Sequence, residues 1–293
     1  MPLLPDPDLR RTWLFGPGAD ATVHDAMLAS GADALIVDLE DFTPPPRRAE
    51  ARALLPRYVQ GCRERGIVAA VRINPLDSDG RDDLAAAMAA RPDVISLPMA
   101  ERAAQLAELD RVIGQWEAEL GLEAGSTEIL PVCETALGVA DLRTITAASP
   151  RVRSALLGAE DLANSLCAER SPEGLELEHA RRRFLLDARA AGIEPIDAPY
   201  TFSDVESAVR EAAHARRLGY RSKSLVRPEH AAALNAALTP SAADVARART
   251  LVEAFEAARA RGEDRALVDG LWVEVPSWRN ALRLLERAQR LSR

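Results

Sequence analysis

The chain has 293 residues, 47% of them hydrophobic and 28% charged, which is enough apolar material for a sizeable core and too much for a disordered tether. Its 45 Asp and Glu outnumber 37 Lys and Arg for a formal net charge of −8, which argues against a nucleic-acid or membrane-surface protein. Three cysteines, Cys62, Cys133 and Cys167, include no CxxC pair, so neither a disulfide framework nor a zinc knuckle is expected and a reducing cytoplasm is the default. The opening segment Met1–Asp8 has no basic start followed by an apolar run, and no stretch approaches ~18 uninterrupted apolar residues. Neither a secretory signal nor a membrane span is expected.

In chain order, short apolar runs alternate with longer amphipathic stretches. The runs are Thr12–Phe15, Ala34–Val37, Ile67–Ile73, Val94–Leu97, Ile129–Cys133, Ala155–Leu157, Ile193–Ile196 and Lys223–Val226. Between them, segments such as Arg47–Glu64, Glu101–Leu120 and Asp204–Leu218 carry helical periodicity. Runs that are continuously apolar predict strands buried on both faces, as a parallel sheet requires. Eight strand-then-helix units predict an α/β protein with a (β/α)8 TIM barrel over residues 1–238. After Leu238 the pattern changes. Thr239-Pro240-Ser241 starts a helix through Arg261, Gly262–Val275 reads as a turn with a short hairpin, and Pro276 opens a last helix to Arg293. Residues 239–293 are thus expected to form a lid or oligomerisation extension.

In such barrels the working residues stand at the carboxyl ends of the strands. Here those ends are acidic: Asp38-Leu39-Glu40-Asp41 after the second run, Glu134 after the fifth, Glu160-Asp161 after the sixth and Asp197 after the seventh. A single such acid would be read as a helix cap. Several converging on one mouth repel one another unless cations intervene, and Arg72 with a bound metal are the natural neutralisers. Glu134 and Asp161 are the expected metal pair. A hard divalent ion prefers oxygen, and Mg2+ commonly takes one or two protein carboxylates, with water and substrate oxygens completing its shell. The four histidines, His24, His179, His214 and His230, are scattered without metal-ligand spacing. Cys133 has no His placed to activate it.

Gly16-Pro17-Gly18-Ala19-Asp20-Ala21, with Asp38 further on, matches the GxGxxA pattern of dinucleotide-binding folds. Pro17 would remove a backbone donor from the phosphate loop, and a dinucleotide fold gives no reason for Arg72, Glu134 and Asp161. An NAD-dependent dehydrogenase and a non-catalytic binding protein are the weaker readings from other classes.

Taken together, the motifs resemble a family. Arg11-Thr12-Trp13-Leu14-Phe15-Gly16-Pro17-Gly18 is similar to the RSxLFxPG opening of the citrate lyase β-subunit and malyl-CoA lyase group of the HpcH/HpaI aldolase superfamily. Asp38–Asp41 resembles its DxED, Arg72-Ile73-Asn74 its RxN, Glu134–Gly138 its E[ST]xxG and Gly158–Leu162 its GxEDL. The similarity continues through Asp197, Gly219–Lys223 and Asn235 with Thr239-Pro240-Ser241.

The resemblance implies a Mg2+-dependent carbon–carbon lyase, with Mn2+ as the alternative ion, acting on a 3-hydroxyacyl-CoA of the citryl-, malyl- or citramalyl-CoA type. It implies Glu134 and Asp161 as metal ligands and Arg72, Glu40 and Asp41 as catalytic groups. Arg72, Arg11, Asp38, Asp197 and Lys223 would bind substrate. Glu274, in Gly270–Glu274, stands where the family has a lid Asp that reaches a neighbouring subunit, and the family implies a homotrimer or hexamer. Met99 and Arg227 stand where the family has Lys and His. A thioester hydrolase or a free 2-oxo-acid aldolase would use the same metal pair.

Overall fold

The computed structural model of the protein describes residues 4–292. Met1–Leu3 and Arg293 lie outside them, and with them the start of the opening segment and the last residue of the predicted terminal helix. The described chain divides into two compact units, one ending at Ala236 and one beginning at Ala237, two residues before the boundary expected from the pattern.

The first unit runs β1 (Thr12–Pro17), α1 (Ala21–Ala29), β2 (Ala34–Asp38), α2 (Arg48–Arg65), β3 (Val68–Arg72), α3 (Gly80–Ala90), β4 (Val94–Leu97) and α4 (Ala103–Glu119). It continues with β5 (Glu128–Cys133), short α5 (Ala136–Ala140) and α6 (Leu142–Thr146), β6 (Ser154–Leu157), α7 (Glu160–Ser165) and α8 (Glu178–Ala191). It closes with β7 (Glu194–Tyr200), α9 (Val205–Leu218), β8 (Ser222–Leu225) and α10 (Ala231–Leu238), whose last residues cross into the second unit. The eight strands form a closed parallel barrel in sequence order, β8 returning to β1. This is the (β/α)8 fold the eight apolar runs predict. β7 runs past the predicted Ile196 to Tyr200, with a register shift against β8 between Asp197 and Tyr200.

Strand side chains alternate between two faces, so the barrel interior can be read from parity. The inner cluster holds Trp13 and Phe15, Ala34 and Ile36, Val68 and Ala70, Val94, Leu130 and Val132, Leu156, and Ile196. Two further residues along the same faces lie Asp38, Arg72 and Glu134, at the carboxyl ends of β2, β3 and β5. The core itself therefore aims these three polar side chains into the mouth. At the other end, Arg10 pairs with Glu128 at 2.6 and 2.9 Å and lies 5.9 Å from the Trp13 ring, closing the barrel floor.

The second unit consists of α11 (Ala242–Ala260), β9 (Ala266–Val268), β10 (Leu271–Val273) and α12 (Val275–Leu291). Ser241 caps α11 in a reciprocal box with Asp244. The β9–β10 hairpin turns on Asp269 and Gly270, with φ of 50° and 77°, the pair a two-residue primed turn demands. Phe255 and Trp278 stack at 5.5 Å in a small core with Ala258, Ala266 and Val273. Leu267, Leu271 and Trp272 remain exposed on the hairpin. Among the described residues no helix is long and apolar enough to cross a membrane.

Candidate active site

The register of β2 and β3 sets Asp38 directly beside Arg72, on the same inward face. Arg72 Nε and Nη2 donate to the two Asp38 oxygens at 2.8 and 2.6 Å, a two-toothed pair that is almost wholly buried. Asp38 also accepts the backbone N–H groups of Glu40 and Phe42, each at 2.9 Å, so one buried carboxylate shapes the loop that carries the neighbouring acids. Arg72 Nη1 lies 2.9 Å from Glu40 Oε2 and Nη2 lies 3.7 Å from Asp41. The rings of Phe15 and Phe42 stand 5.3 and 5.9 Å from the guanidinium. Burial opposes the Arg72 charge, but Asp38 and then Glu40 outweigh it and raise its pKa.

Glu134 rises from the end of β5 and is buried. Its Oε1 accepts the N–H of Met99 at 2.8 Å. Met99, in the loop after β4, adopts φ of 48°, a left-handed conformation unusual for a side-chain-bearing residue, and so turns its amide toward Glu134. On the other side Gly158 leaves the room: a Cβ there would stand 2.4 Å from Glu134 Cβ and 2.8 Å from Oε2. Asp161 is exposed in the first turn of α7, two residues after Ala159.

These acids act on one another. Burial pushes the Glu134 carboxyl up to about 7; Arg72 and the Met99 amide oppose it, while Asp161 and Glu40 add to it. Burial likewise takes Glu40 to about 7, against Arg72 and with Asp41, Asp38 and Asp161. Asp161 is raised by burial and by Asp41, against Arg72. Glu40, Asp41, Glu134 and Asp161 therefore share one field that a single guanidinium does not neutralise.

A divalent cation fits this donor set. Glu40 Oε2, though close to Arg72, is buried without a hydrogen-bond donor. Hard carboxylate oxygens are what Mg2+ prefers. Among the described residues no group of three His, Cys, Asp or Glu side chains forms a cage for an ion.

Three of the expected substrate-binding residues lie elsewhere. Arg11 precedes β1 at the opposite end of the barrel, where its backbone and guanidinium hold Asp33 at 2.7 to 2.8 Å. Asp197 follows the inward Ile196 and so points outward, between the barrel wall and the helices. There Arg181 of α8 grips it at 2.8 and 2.7 Å and Lys223 at 2.7 Å, with Glu211 of α9 3.3 Å from both cations. Burial pushes the Asp197 carboxyl up, but Arg181 and Lys223 hold it well below the usual range. This buried network pins α8 and α9 to β7 and β8. Glu274 is exposed at the N-cap of α12 in the second unit. Arg227 follows β8 beside Glu229, and burial pushes the Cys133 thiol up, which suits an inert strand residue.

The glycine pattern after β1 has a packing explanation. The Gly18 N–H is already engaged by Asp38 O at 3.0 Å and Thr43 Oγ1 at 2.9 Å, and a Cβ at Gly18 would meet Leu39 and Ala51 at 2.8 and 2.9 Å. With the barrel closed, the dinucleotide-fold reading falls. The sequence reading missed the Met99 amide, the space at Gly158 and the Phe15 and Phe42 rings. Only the glycine and the phenylalanines carried any sequence signal.

A closed barrel whose mouth gathers acids around one arginine is the frame of a metal-assisted aldolase or lyase. The family model for HpcH/HpaI aldolase/citrate lyase matches residues 11–228, and the chain belongs to this family of lyases. It is 36% identical over 283 residues to citrate lyase subunit beta of Haemophilus influenzae, covering 96% of this chain and 97% of that one. It is 32% identical over 315 residues to L-malyl-CoA/beta-methylmalyl-CoA lyase of Cereibacter sphaeroides, covering 99% and 98%. Among solved structures it resembles the protein CitE of Mycobacterium tuberculosis in complex with magnesium, acetoacetate and coenzyme A. That match has a TM-score of 0.77 and 28% identity and covers 95% of this chain and 98% of that one.

Proposed function

We propose that the protein is a Mg2+-dependent lyase that cleaves or forms a 3-hydroxyacyl-CoA, giving an acyl-CoA and a 2-oxo acid. The observation that carries this reading is the over-acidic mouth in which buried Glu134, largely buried Glu40 and exposed Asp41 and Asp161 bear on one arginine. The magnesium and coenzyme A bound to the CitE relative support it, as does the malyl-CoA lyase relative.

Cleavage moves the hydroxyl proton to a base and turns that C–O bond into a carbonyl. The carbon–carbon bond breaks, its electron pair becomes the thioester enolate, and the enolate carbon takes up a proton. In this reading Glu134 and Asp161 hold Mg2+, which supplies Lewis acidity toward the oxo-acid oxygens; Mn2+ is the alternative ion. Arg72 binds the same oxygens with directional, charge-assisted bonds. Asp38 and Glu40 orient Arg72, and Asp41 adds to the field that draws the ion.

Residues 1–238 act as the catalytic barrel and residues 239–293 as a lid. The exposed Trp272, Leu271 and Leu267 support docking of that lid on a second copy, in a homotrimer or hexamer, where Glu274 serves as the proton-transfer group. The free thiol of exposed Cys167 supports a reducing, cytoplasmic setting.

The test is Asp161→Ala, which should abolish both Mg2+ binding and Mg2+-dependent thioester cleavage, with Glu134→Gln keeping the fold and weakening the ion. Full Mg2+-dependent turnover in Asp161→Ala would refute the assignment.

A further inference from the structure

Asp161 rides on a helix that cannot hold itself. α7 has 6 residues, and Ala159 at its N-cap supplies no side-chain hydrogen bond. So short a helix has little stability of its own, and its first turn must be fixed from outside. Leu162 and Ala163 are buried and hold one face. The other holds through Glu160, the residue before Asp161. Glu160 Oε1 accepts from Thr201 Oγ1, just past β7, at 2.7 Å and from Arg170 Nε at 3.2 Å.

Arg170 is the centre of this junction. α7 ends with Cys167 in a left-handed conformation, φ 54°, and the N–H groups of Cys167 and Ala168 return to the carbonyls of Asn164 and Ala163. After this reversal Arg170 stands beside Glu160 with its side chain only 17% exposed. Its Nη1 donates to Glu176, and its Nη2 donates to Thr201 Oγ1 at 3.5 Å. The Phe202 ring lies 5.8 Å from the guanidinium and packs against Tyr200 at 5.4 Å. Glu176 is held in turn by Ser171, whose Oγ and N–H donate to it at 2.7 and 3.2 Å. One guanidinium thus joins α7, the loop before α8 and the loop after β7, with a separate partner on each nitrogen.

Resting on the reading above in which Asp161 holds the ion, we propose that Arg170 is a positioning residue for the metal site. By clamping Glu160 to the loops before α8 and after β7, it fixes the first turn of α7 and with it Asp161. The sign of its effect separates this role from one of charge. Arg170 is a cation near carboxylates that draw a divalent ion, so on charge alone its removal should tighten Mg2+ binding. Removal of a clamp should weaken it, as loss of the partners that orient metal ligands does.

The experiment is calorimetric titration with Mg2+ of Arg170→Ala, Glu160→Ala, their double variant and Thr201→Val, with Asp161→Ala as the reference and metal-free thermal melts alongside. We expect affinity to fall about tenfold in Arg170→Ala and in Glu160→Ala. The double variant should bind no more than about twofold worse than the weaker single variant, because both break one clamp. Thr201→Val alters no charge and should lower affinity about threefold, and it decides the matter if Arg170→Ala fails to fold. Unchanged or tighter Mg2+ binding in Arg170→Ala, with a lower Tm alone, overturns the inference and leaves Asp161 as a ligand. Losses that add in the double variant overturn the route through Glu160. Full Mg2+ binding in Asp161→Ala overturns the metal reading itself, and the inference with it.

Discussion

Asp38 and Arg72 face each other across adjacent parallel strands and close a two-toothed ion pair at 2.8 and 2.6 Å beneath the mouth of the barrel. The pair gives Arg72 two tasks. It neutralises a buried acid, and it keeps its remaining edge turned to Glu40 and the site. Lys cannot span both Asp38 oxygens, since it offers a point charge where Arg offers a planar fork. Arg72→Lys should therefore lower kcat/KM about a hundredfold or more and cost about 1–3 kcal/mol of stability by leaving one buried oxygen short of a donor. Denaturant melts and initial rates measure both. Wild-type rates in Arg72→Lys would reduce Arg72 to a counter-charge.

Gly158 is a steric condition for Glu134. An added methyl would stand 2.4 Å from Glu134 Cβ, so Gly158→Ala must displace the carboxylate or the strand end. Mg2+ affinity should fall about tenfold or more, measured by calorimetry on protein whose circular dichroism is unchanged. Unaltered affinity would remove Glu134 from the ion's shell.

The raised carboxyls make the metal's effect depend on pH. Glu134 and Glu40 rise from their ordinary 4.5 to about 7 in the folded, metal-free protein, because burial disfavours their charge. The native state then binds these protons more tightly than the unfolded chain. The stabilisation they contribute is complete below about 4.5 and is lost as pH rises through about 7. Mg2+ competes with those protons and compensates the charge once they leave. The rise in Tm on adding Mg2+ should be small at pH 5.5 and larger at pH 8. A rise of equal size at both pH values would show that the ion sits away from these carboxyls.

Lys223 and Asp197 are predicted to matter for folding rather than for substrate. Lys223→Met removes one partner from a buried pair and should cost about 3–5 kcal/mol, with KM for the thioester little changed in whatever fraction folds. A large KM effect with unchanged stability would return Lys223 to the substrate site.

These two residues also show where the sequence was legible and where it was not. Eight continuous apolar runs sufficed for the barrel, because a strand covered on both faces has no polar face to show. The acids at the ends of β2, β5 and β6 were legible for the complementary reason, that a core has no use for them. Asp197 looked like another member of that series. Its parity, one residue beyond the inward Ile196, turns it to the outer wall, and its partners Arg181 and Glu211 are fixed only by how α8 and α9 dock. Arg181 falls on the apolar stripe of Leu177, Ala180, Phe184 and Ala188, which is the one sequence sign of a buried cation. Arg11 sits beside the β1 motif in sequence yet belongs to the opposite end of the barrel. The Met99 amide was out of reach, because a backbone donor leaves no mark on residue type.

Glu274→Ala tests whether the second unit acts as a catalytic lid. Glu274 is exposed and makes no capping hydrogen bond with its side chain, so its removal should leave stability unchanged. Turnover should fall sharply while Mg2+ affinity holds, and mixing with Arg72→Ala should restore part of the activity if sites are shared between chains. A mild loss from Glu274→Ala beside a larger one from Trp272→Ala would indicate a lid that only excludes water.

Product analysis after incubating the Mg2+-loaded protein with a panel of 3-hydroxyacyl-CoA thioesters shows which bond is cut. Carbon–carbon cleavage predicts an acyl-CoA and a 2-oxo acid in equal amounts, with no free coenzyme A released and no reaction when the metal is chelated. Free coenzyme A together with the intact hydroxy acid would rule out carbon–carbon cleavage, because the same mouth would then be hydrolysing the thioester.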